Sequence, residues 1–214
     1  MRAMRPVRLY ESSIPSGNAY KVSLLLAHLG IDVPVTALDI LADPPETRRP
    51  AYLAKNPNGR IPLLELDDGS YLPESNAILY FLASGTRYLP DDALGRARAL
   101  QWMFFEQYSH EPYVAVLKFW TLWGGLHRKR PDEIAVWKQR GQAALDVMEG
   151  HLAGAAWFTG ERYGIADIAL YAYTHTAGVI GFAIGPRVGA WLDQVRAQPG
   201  HVAMKPDAGK AAAT

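Results

Sequence analysis

Within the first 90 residues the spacing of apolar positions changes from every second residue to every third or fourth, then back. Alternation over 7–10 predicts a short strand. Val22, Leu25, Leu26 and Leu29 then fall at i, i+3, i+4 and i+7, which places them on one helical face, and Gly30 follows where a helix stop belongs. Residues 33–38 read as a second strand. Residues 63–66 and 70–72 flank Asp68-Gly69, a dipeptide suited to a tight hairpin because glycine tolerates the positive φ of such turns. An irregular or helical link over 44–58 precedes the hairpin, and a helix over 75–83 follows it. This order of elements specifies a small α/β sheet.

Beyond Asp91 the strand signals cease. Helical periodicity covers 94–126, 132–152, 165–179 and 189–197, with breaks at Gly124-Gly125, Pro131, Gly154, Gly160, Gly164 and Pro186. The chain therefore divides into an α/β domain over 1–85 and an all-helical domain over 92–204, joined through 84–92. Residues 205–214 are small and polar and read as a flexible tail. Residues 168–186 carry no Asp, Glu, Lys or Arg, a length approaching that of a membrane span. Thr174, His175 and Thr176 at its centre, with Gly178, Gly181 and Gly185 beyond, favour a helix buried in a bundle instead.

Composition narrows the chemistry. The chain has 214 residues, with 49% hydrophobic and 20% charged, which suits ordinary globular domains. Its formal charge of +1 gives no bulk field to draw it to nucleic acid or an anionic membrane, and neither partner is expected. Cysteine is absent, so disulfides, cysteine-ligated metals and cysteine nucleophiles are excluded and any thiol must arrive with a ligand. The six histidines, at 28, 110, 127, 151, 175 and 201, form no i, i+4 pair, and no metal is expected. The basic run His127-Arg128-Lys129-Arg130 reads as a solvated cap at a helix C-terminus. Residues 6–13 do not form the apolar block of a secretory signal, so a soluble, cytoplasmic protein is the expectation.

Residues 56–64 and 72–78 carry the most chemistry. Pro62 stands at the entrance to a hairpin strand, where proline begins a strand but donates nothing within it. With a cis Ile61–Pro62 bond, Ile61 would present its N–H and C=O outward, for an extended peptide to pair with as an added strand. Ser75 occupies a helix N-cap position, and the first helical turn offers unpaired N–H groups and the positive end of a dipole. A carboxylate fits there, and Glu74 beside it suits an ammonium group. Together they match the two ends of an amino-acid head.

The succession Asn56-Pro57-Asn58-Gly59-Arg60-Ile61-Pro62, a hairpin, Glu74-Ser75-Asn76-Ala77-Ile78 and a helical domain strongly resembles the cytosolic glutathione transferases over about residues 7–204. Residues 163–169, Tyr-Gly-Ile-Ala-Asp-Ile-Ala, resemble that family's buried-helix capping motif, except that Gly164 replaces the usual Ser or Thr. Asp167 can still reach back to the Gly164 N–H, and serine to glycine at a cap costs only a few tenths of a kcal/mol. The resemblance implies an α/β plus all-α fold, a thioredoxin-like N-terminal domain followed by an all-helical C-terminal domain. It implies that Ile61, preceding Pro62, pairs with the cysteinyl part of glutathione, and that Glu74 and Ser75 hold the γ-glutamyl head. Asn58 and Arg60 lie in the same loop, within reach of the peptide or its glycyl carboxylate.

By the same resemblance, the donor to the glutathione sulfur lies after the first strand. Ser16 falls at the hydroxyl position of serine-type members, with Asn18 close behind as a joint donor; Tyr10 is the candidate in a tyrosine-type member. Such donors favour thiolate over thiol, whose free pKa of about 8.5 leaves a few per cent ionised at neutral pH. The aromatic-rich helix around 101–123 is expected to turn Phe105 and Tyr108, together with Tyr173, toward a hydrophobic pocket between the domains. The implied activity is attack of glutathione thiolate on small hydrophobic electrophiles by a homodimer, with glutathione as cosubstrate. Two alternatives stand: a glutathione-dependent disulfide reductase or organic peroxidase, and a non-catalytic binding or scaffold protein.

Overall fold

Four strands, β1 (Pro6–Ser12), β2 (Val35–Leu38), β3 (Leu63–Leu66) and β4 (Tyr71–Pro73), form one sheet in the order β2-β1-β3-β4. Helix α1 (Gly17–His28) joins β1 to β2, which run parallel with Leu9 opposite Val35. The pairs β1–β3 and β3–β4 are antiparallel, Leu9 facing Leu64 and Leu64 facing Leu72. Gly69 makes the hairpin turn at φ +82°, as the Asp-Gly signal requires. The link before β3 is a 3₁₀ turn over Glu46–Arg48 and a short helix α2 (Pro50–Leu53) with proline at its start.

The computed structural model describes residues 4–206, in two units divided between Leu82 and Ala83. Residues 200–206 belong to the N-terminal unit, where the helical domain was expected to continue to 204. Polar contacts hold them there: the Tyr20 hydroxyl donates to the Val202 carbonyl at 2.7 Å and lies 3.3 Å from His201 Nε2, and Lys205 Nζ meets Glu11 at 2.9 Å. These contacts have no sequence period. Of the expected flexible tail, 207–214 lies outside the described residues.

Helix α1 is buried more widely than its apolar stripe predicts. Val22, Leu25 and Leu26 are buried as expected, but Leu24 and Lys21, off that stripe, are both fully buried. Helix α3 (Ser75–Ala83) follows the hairpin and buries Ile78 and Leu79.

The second unit is all helical. The path expected over 94–126 runs from α4 (Ala93–Phe105) through a π-turn, Glu106–His110, into α5 (Glu111–Phe119) and a second π-turn, Trp120–Gly124. Pro112 accounts for the first: its ring would clash with the carbonyl of Tyr108 in a regular α-helix, and the wider turn relieves that. Of the basic run, Lys129 sits over the Trp120 ring at 3.9 Å, and the Arg130 N–H donates to Glu133 at the start of α6 (Pro131–His151). The run thus spans a connection rather than capping one helix end.

Helix α7 (Ile165–Thr174) is buried along its whole length, and α8 (Pro186–Arg196) begins at a proline. Among the described residues no helix is long and apolar enough to cross a membrane. Asp167 is fully buried and accepts from the Gly164 N–H (3.1 Å), the Phe158 N–H (3.1 Å) and Trp191 Nε1 (3.0 Å). The capping bond expected from Asp167 is present.

Tertiary structure also explains Gly164. A Cβ there would lie 2.8 Å from the Tyr88 carbonyl oxygen, which accepts the Ile165 N–H at 3.0 Å. Gly164→Ser would gain a capping hydroxyl but force that backbone apart. The expected outcome is a net loss of about 1–3 kcal/mol, seen as a melting temperature several degrees lower; a rise would show that the carbonyl yields without cost.

Candidate functional site

The loop before β3 is organised by Asn56. Its Oδ1 accepts the Asn58 N–H at 3.1 Å, its Nδ2 donates to the Arg60 carbonyl at 2.8 Å, and its own carbonyl accepts the Gly59 N–H. The Tyr52 hydroxyl also donates to the Arg60 carbonyl, at 2.7 Å. Gly59 sits at φ +61°, with the Thr47 carbonyl and the Arg48 guanidinium where a Cβ would point. These bonds fix the backbone leading to Ile61. The Ile61–Pro62 bond is cis. Among the described residues no hydrogen bond uses the Ile61 N–H or C=O, so both remain for an extended ligand. The side chain of Arg60 is exposed; that of Asn58 donates to Glu74 at 3.5 Å.

Glu74 and Ser75 differ from expectation by one position. Glu74, not Ser75, caps α3, its carbonyl accepting the Ile78 N–H at 2.9 Å. Its backbone is left-handed, φ +70°, the only such non-glycine among the described residues. That conformation costs about 1–2 kcal/mol in an L-residue, and such strain concentrates at ligand clamps. Ser75 is the first residue of the helix and is buried, so its N–H still belongs to the unpaired first turn.

Ser16 caps α1, its Oγ accepting the Ala19 N–H at a long 3.4 Å. Asn18 Oδ1 accepts from Lys21 Nζ at 2.8 Å and from the Ser75 hydroxyl at 3.3 Å. Lys21 Nζ is also 3.4 Å from Ser75 Oγ, which closes a triangle between α1 and the start of α3. The fold therefore joins Asn18 to Ser75 across 57 positions. Sequence reasoning gave Lys21 no role. A lysine one turn into an amphipathic helix reads as solvated, and only its burial marks it out.

Tyr10 is committed elsewhere. Its hydroxyl donates to Glu65 at 2.9 Å and its ring packs against Tyr52 and Leu63. Burial first, then the bond to Glu65, raises its pKa above the usual tyrosine value, the wrong direction for a readily ionised group.

A cavity of about 670 Å³ opens beside Ser16 within the N-terminal unit. Leu26, Ile31, Val33, Ala37 and Met204 give it an apolar wall, and the Glu11–Lys205 pair lies at its edge. Sequence reasoning missed it because 202–206 complete the lining. Of the expected pocket aromatics, Phe105 packs edge-on against Trp102, Tyr173 is buried beneath Lys118, and Tyr108 is 83% exposed. Burial lowers the Lys118 pKa to about 8. Among the described residues no group of three or more His, Asp or Glu is placed to hold a metal ion.

A family model described as glutathione S-transferase, N-terminal domain, matches residues 15–84, and one described as glutathione S-transferase, C-terminal domain, matches 131–194. A maleylacetoacetate isomerase from Pseudomonas aeruginosa is 32% identical, over 90% of this chain and 94% of its own. The disulfide-bond oxidoreductase YfcG from Escherichia coli is 28% identical, over 86% and 88%. A glutathione S-transferase structure from Pseudomonas fluorescens is 48% identical with a TM-score of 0.88, covering 95% of this chain and 99% of the other. A glutathione transferase from Burkholderia graminis, with two glutathione molecules bound per subunit, is 28% identical with a TM-score of 0.76, over 90% and 84%.

Proposed function

Because the chain belongs to the glutathione S-transferase family, we propose that it is a glutathione transferase, binding glutathione along Ile61 and the start of α3 and activating its thiol at Ser16 and Asn18. The observation that carries this reading is the contact between Asn18 and Ser75, because it sets a carboxylate site beside an amide able to donate to sulfur. The γ-glutamyl carboxylate takes the first N–H groups of α3, beginning with that of Ser75, whose hydroxyl stays on Asn18. The ammonium takes Glu74, and the cysteinyl backbone pairs with Ile61. Arg60, exposed in the same loop, is the group for the glycyl carboxylate, and Asn58, whose amide donates to Glu74, meets the peptide at its γ-glutamyl end.

Catalysis in this reading is electrostatic. The Ser16 hydroxyl and the Asn18 amide donate to the sulfur, the proton leaves to solvent, and the thiolate attacks carbon of a small hydrophobic electrophile. The leaving group departs with its electron pair in substitution; in addition a proton from water completes the product. The apolar cavity beside Ser16 is space for that second substrate. A homodimer and a cytoplasmic location rest on family resemblance.

A second reading keeps the site and changes the reaction: one glutathione attacks a disulfide or peroxide and another resolves the product. The relationship to the disulfide-bond oxidoreductase and the neighbour holding two glutathione molecules favour it. Calorimetry with glutathione, then assays with 1-chloro-2,4-dinitrobenzene, a small disulfide, cumene hydroperoxide and maleylacetoacetate, separate the readings. Glutathione binding with conjugation of the dinitrobenzene is expected. Activity confined to the disulfide and peroxide would transfer the assignment, turnover of maleylacetoacetate alone would make it an isomerase, and no binding at millimolar glutathione would make it a scaffold.

A further inference from the structure

Lys21 is fully buried, yet its ammonium is placed with two polar side chains of the proposed site. An ammonium has donors only, so the atom of Asn18 facing it at 2.8 Å must be the carbonyl oxygen. The Ser75 hydroxyl donates to that same oxygen. With Oδ1 held on this side, the amide nitrogen Nδ2 necessarily faces the other way. An asparagine without such a lock presents either end, and its oxygen would repel a thiolate.

We propose that Lys21 is a positioning residue that fixes Asn18 as a hydrogen-bond donor and couples the carboxylate site at Ser75 to the thiol site through one buried ammonium. A carboxylate arriving on Ser75 comes close to that charge, with little water between to weaken the attraction. The same charge holds the amide that stabilises the sulfur anion. Binding of the amino-acid head and ionisation of the thiol are thereby linked, and the site prefers thiols that carry an α-amino acid carboxylate. This rests on the proposed function, because it assumes that Asn18 meets sulfur.

The test follows thiolate absorbance of saturating glutathione against pH in the full-length protein, with binding by calorimetry and melting temperature measured in parallel. Lys21→Met is expected to raise the bound-thiol titration by about one pH unit, a tenfold loss of thiolate below the pKa, and to weaken glutathione binding about tenfold. Lys21→Arg, which keeps the charge, restores part of both. In an Asn18→Ala background Lys21→Met adds no further shift, whereas a merely structural lysine gives additive effects. Should Lys21→Met not fold, Lys21→Gln keeps a donor and drops the charge, and is expected to raise the titration by a smaller amount. If the folded Lys21 variants titrate like the parent while Asn18→Ala does not, the inference falls and the proposed function survives. If Ser16→Ala and Asn18→Ala also leave the titration unchanged, the proposed function falls first.

Discussion

Asp167→Ala is expected to destabilise the helical unit by about 3–5 kcal/mol, enough to lower its melting temperature by about 10 °C or more. The carboxyl group is fully buried and serves three donors at once: the N–H groups of Gly164 and Phe158 and the indole of Trp191. Alanine leaves all three facing a void. Burial pushes the Asp167 carboxyl up to about 7, while those three donors oppose the rise. The folded state thus holds a proton that the unfolded chain, with an ordinary aspartate, releases near pH 4. Stability from this group is therefore complete below about pH 4 and declines as pH rises through about 7. Thermal unfolding at pH 5 and pH 8 checks the sign: the parent should melt higher at pH 5, and Asp167→Asn, which cannot ionise, should lose that contribution. Melting of the alanine variant within two degrees of the parent would show that Asp167 does not hold the start of α7.

Ser16→Ala is expected to lower kcat/KM for glutathione conjugation about a hundredfold, the effect of removing one donor from a developing or stabilised anion. The long bond from the Ala19 N–H to Ser16 Oγ uses only an acceptor lone pair, so the hydroxyl proton remains available to sulfur. Loss of the cap itself should cost about 1 kcal/mol, read separately from melting. The two roles therefore appear in different measurements. Ser16→Thr keeps both and should retain most activity. If Ser16→Ala stays within threefold of the parent while Asn18→Ala falls a hundredfold, the amide is the principal donor. Stopped-flow titration of the thiolate would agree, since a donor's removal raises the thiol pKa and leaves the electrophile's chemistry unchanged.

Much of the proposed glutathione groove is written locally. Asn56 to Pro62 carry their turn in their own side chains and in the positive φ of Gly59, so the loop is legible without its neighbours. Glu74-Ser75 announces a helix start, although the residue that caps it is displaced by one because Glu74 takes the left-handed backbone usually reserved for glycine. Lys21 and Tyr10 were not legible in the same way. A lysine in a helix and a tyrosine at a strand end have many ordinary explanations, and each was decided by a partner far along the chain, Ser75 for one and Glu65 for the other. Tyr108 was equally illegible: aromatic density suggested enclosure, and the turn widened ahead of Pro112 carries its ring exposed.

By itself, the order of residues determined the succession of strands and helices, the hairpin and the two-part plan, because side-chain period and allowed φ, ψ are properties of short segments. Only the tertiary structure decided that 200–206 return to complete the cavity beside Ser16, that the Tyr88 carbonyl leaves room for nothing larger than glycine at 164, and that a buried ammonium joins Asn18 to Ser75. The physical reason is common to all three. Burying a polar group, or excluding a methylene, is settled by atoms brought from elsewhere in the chain, and short-range pattern holds no record of them.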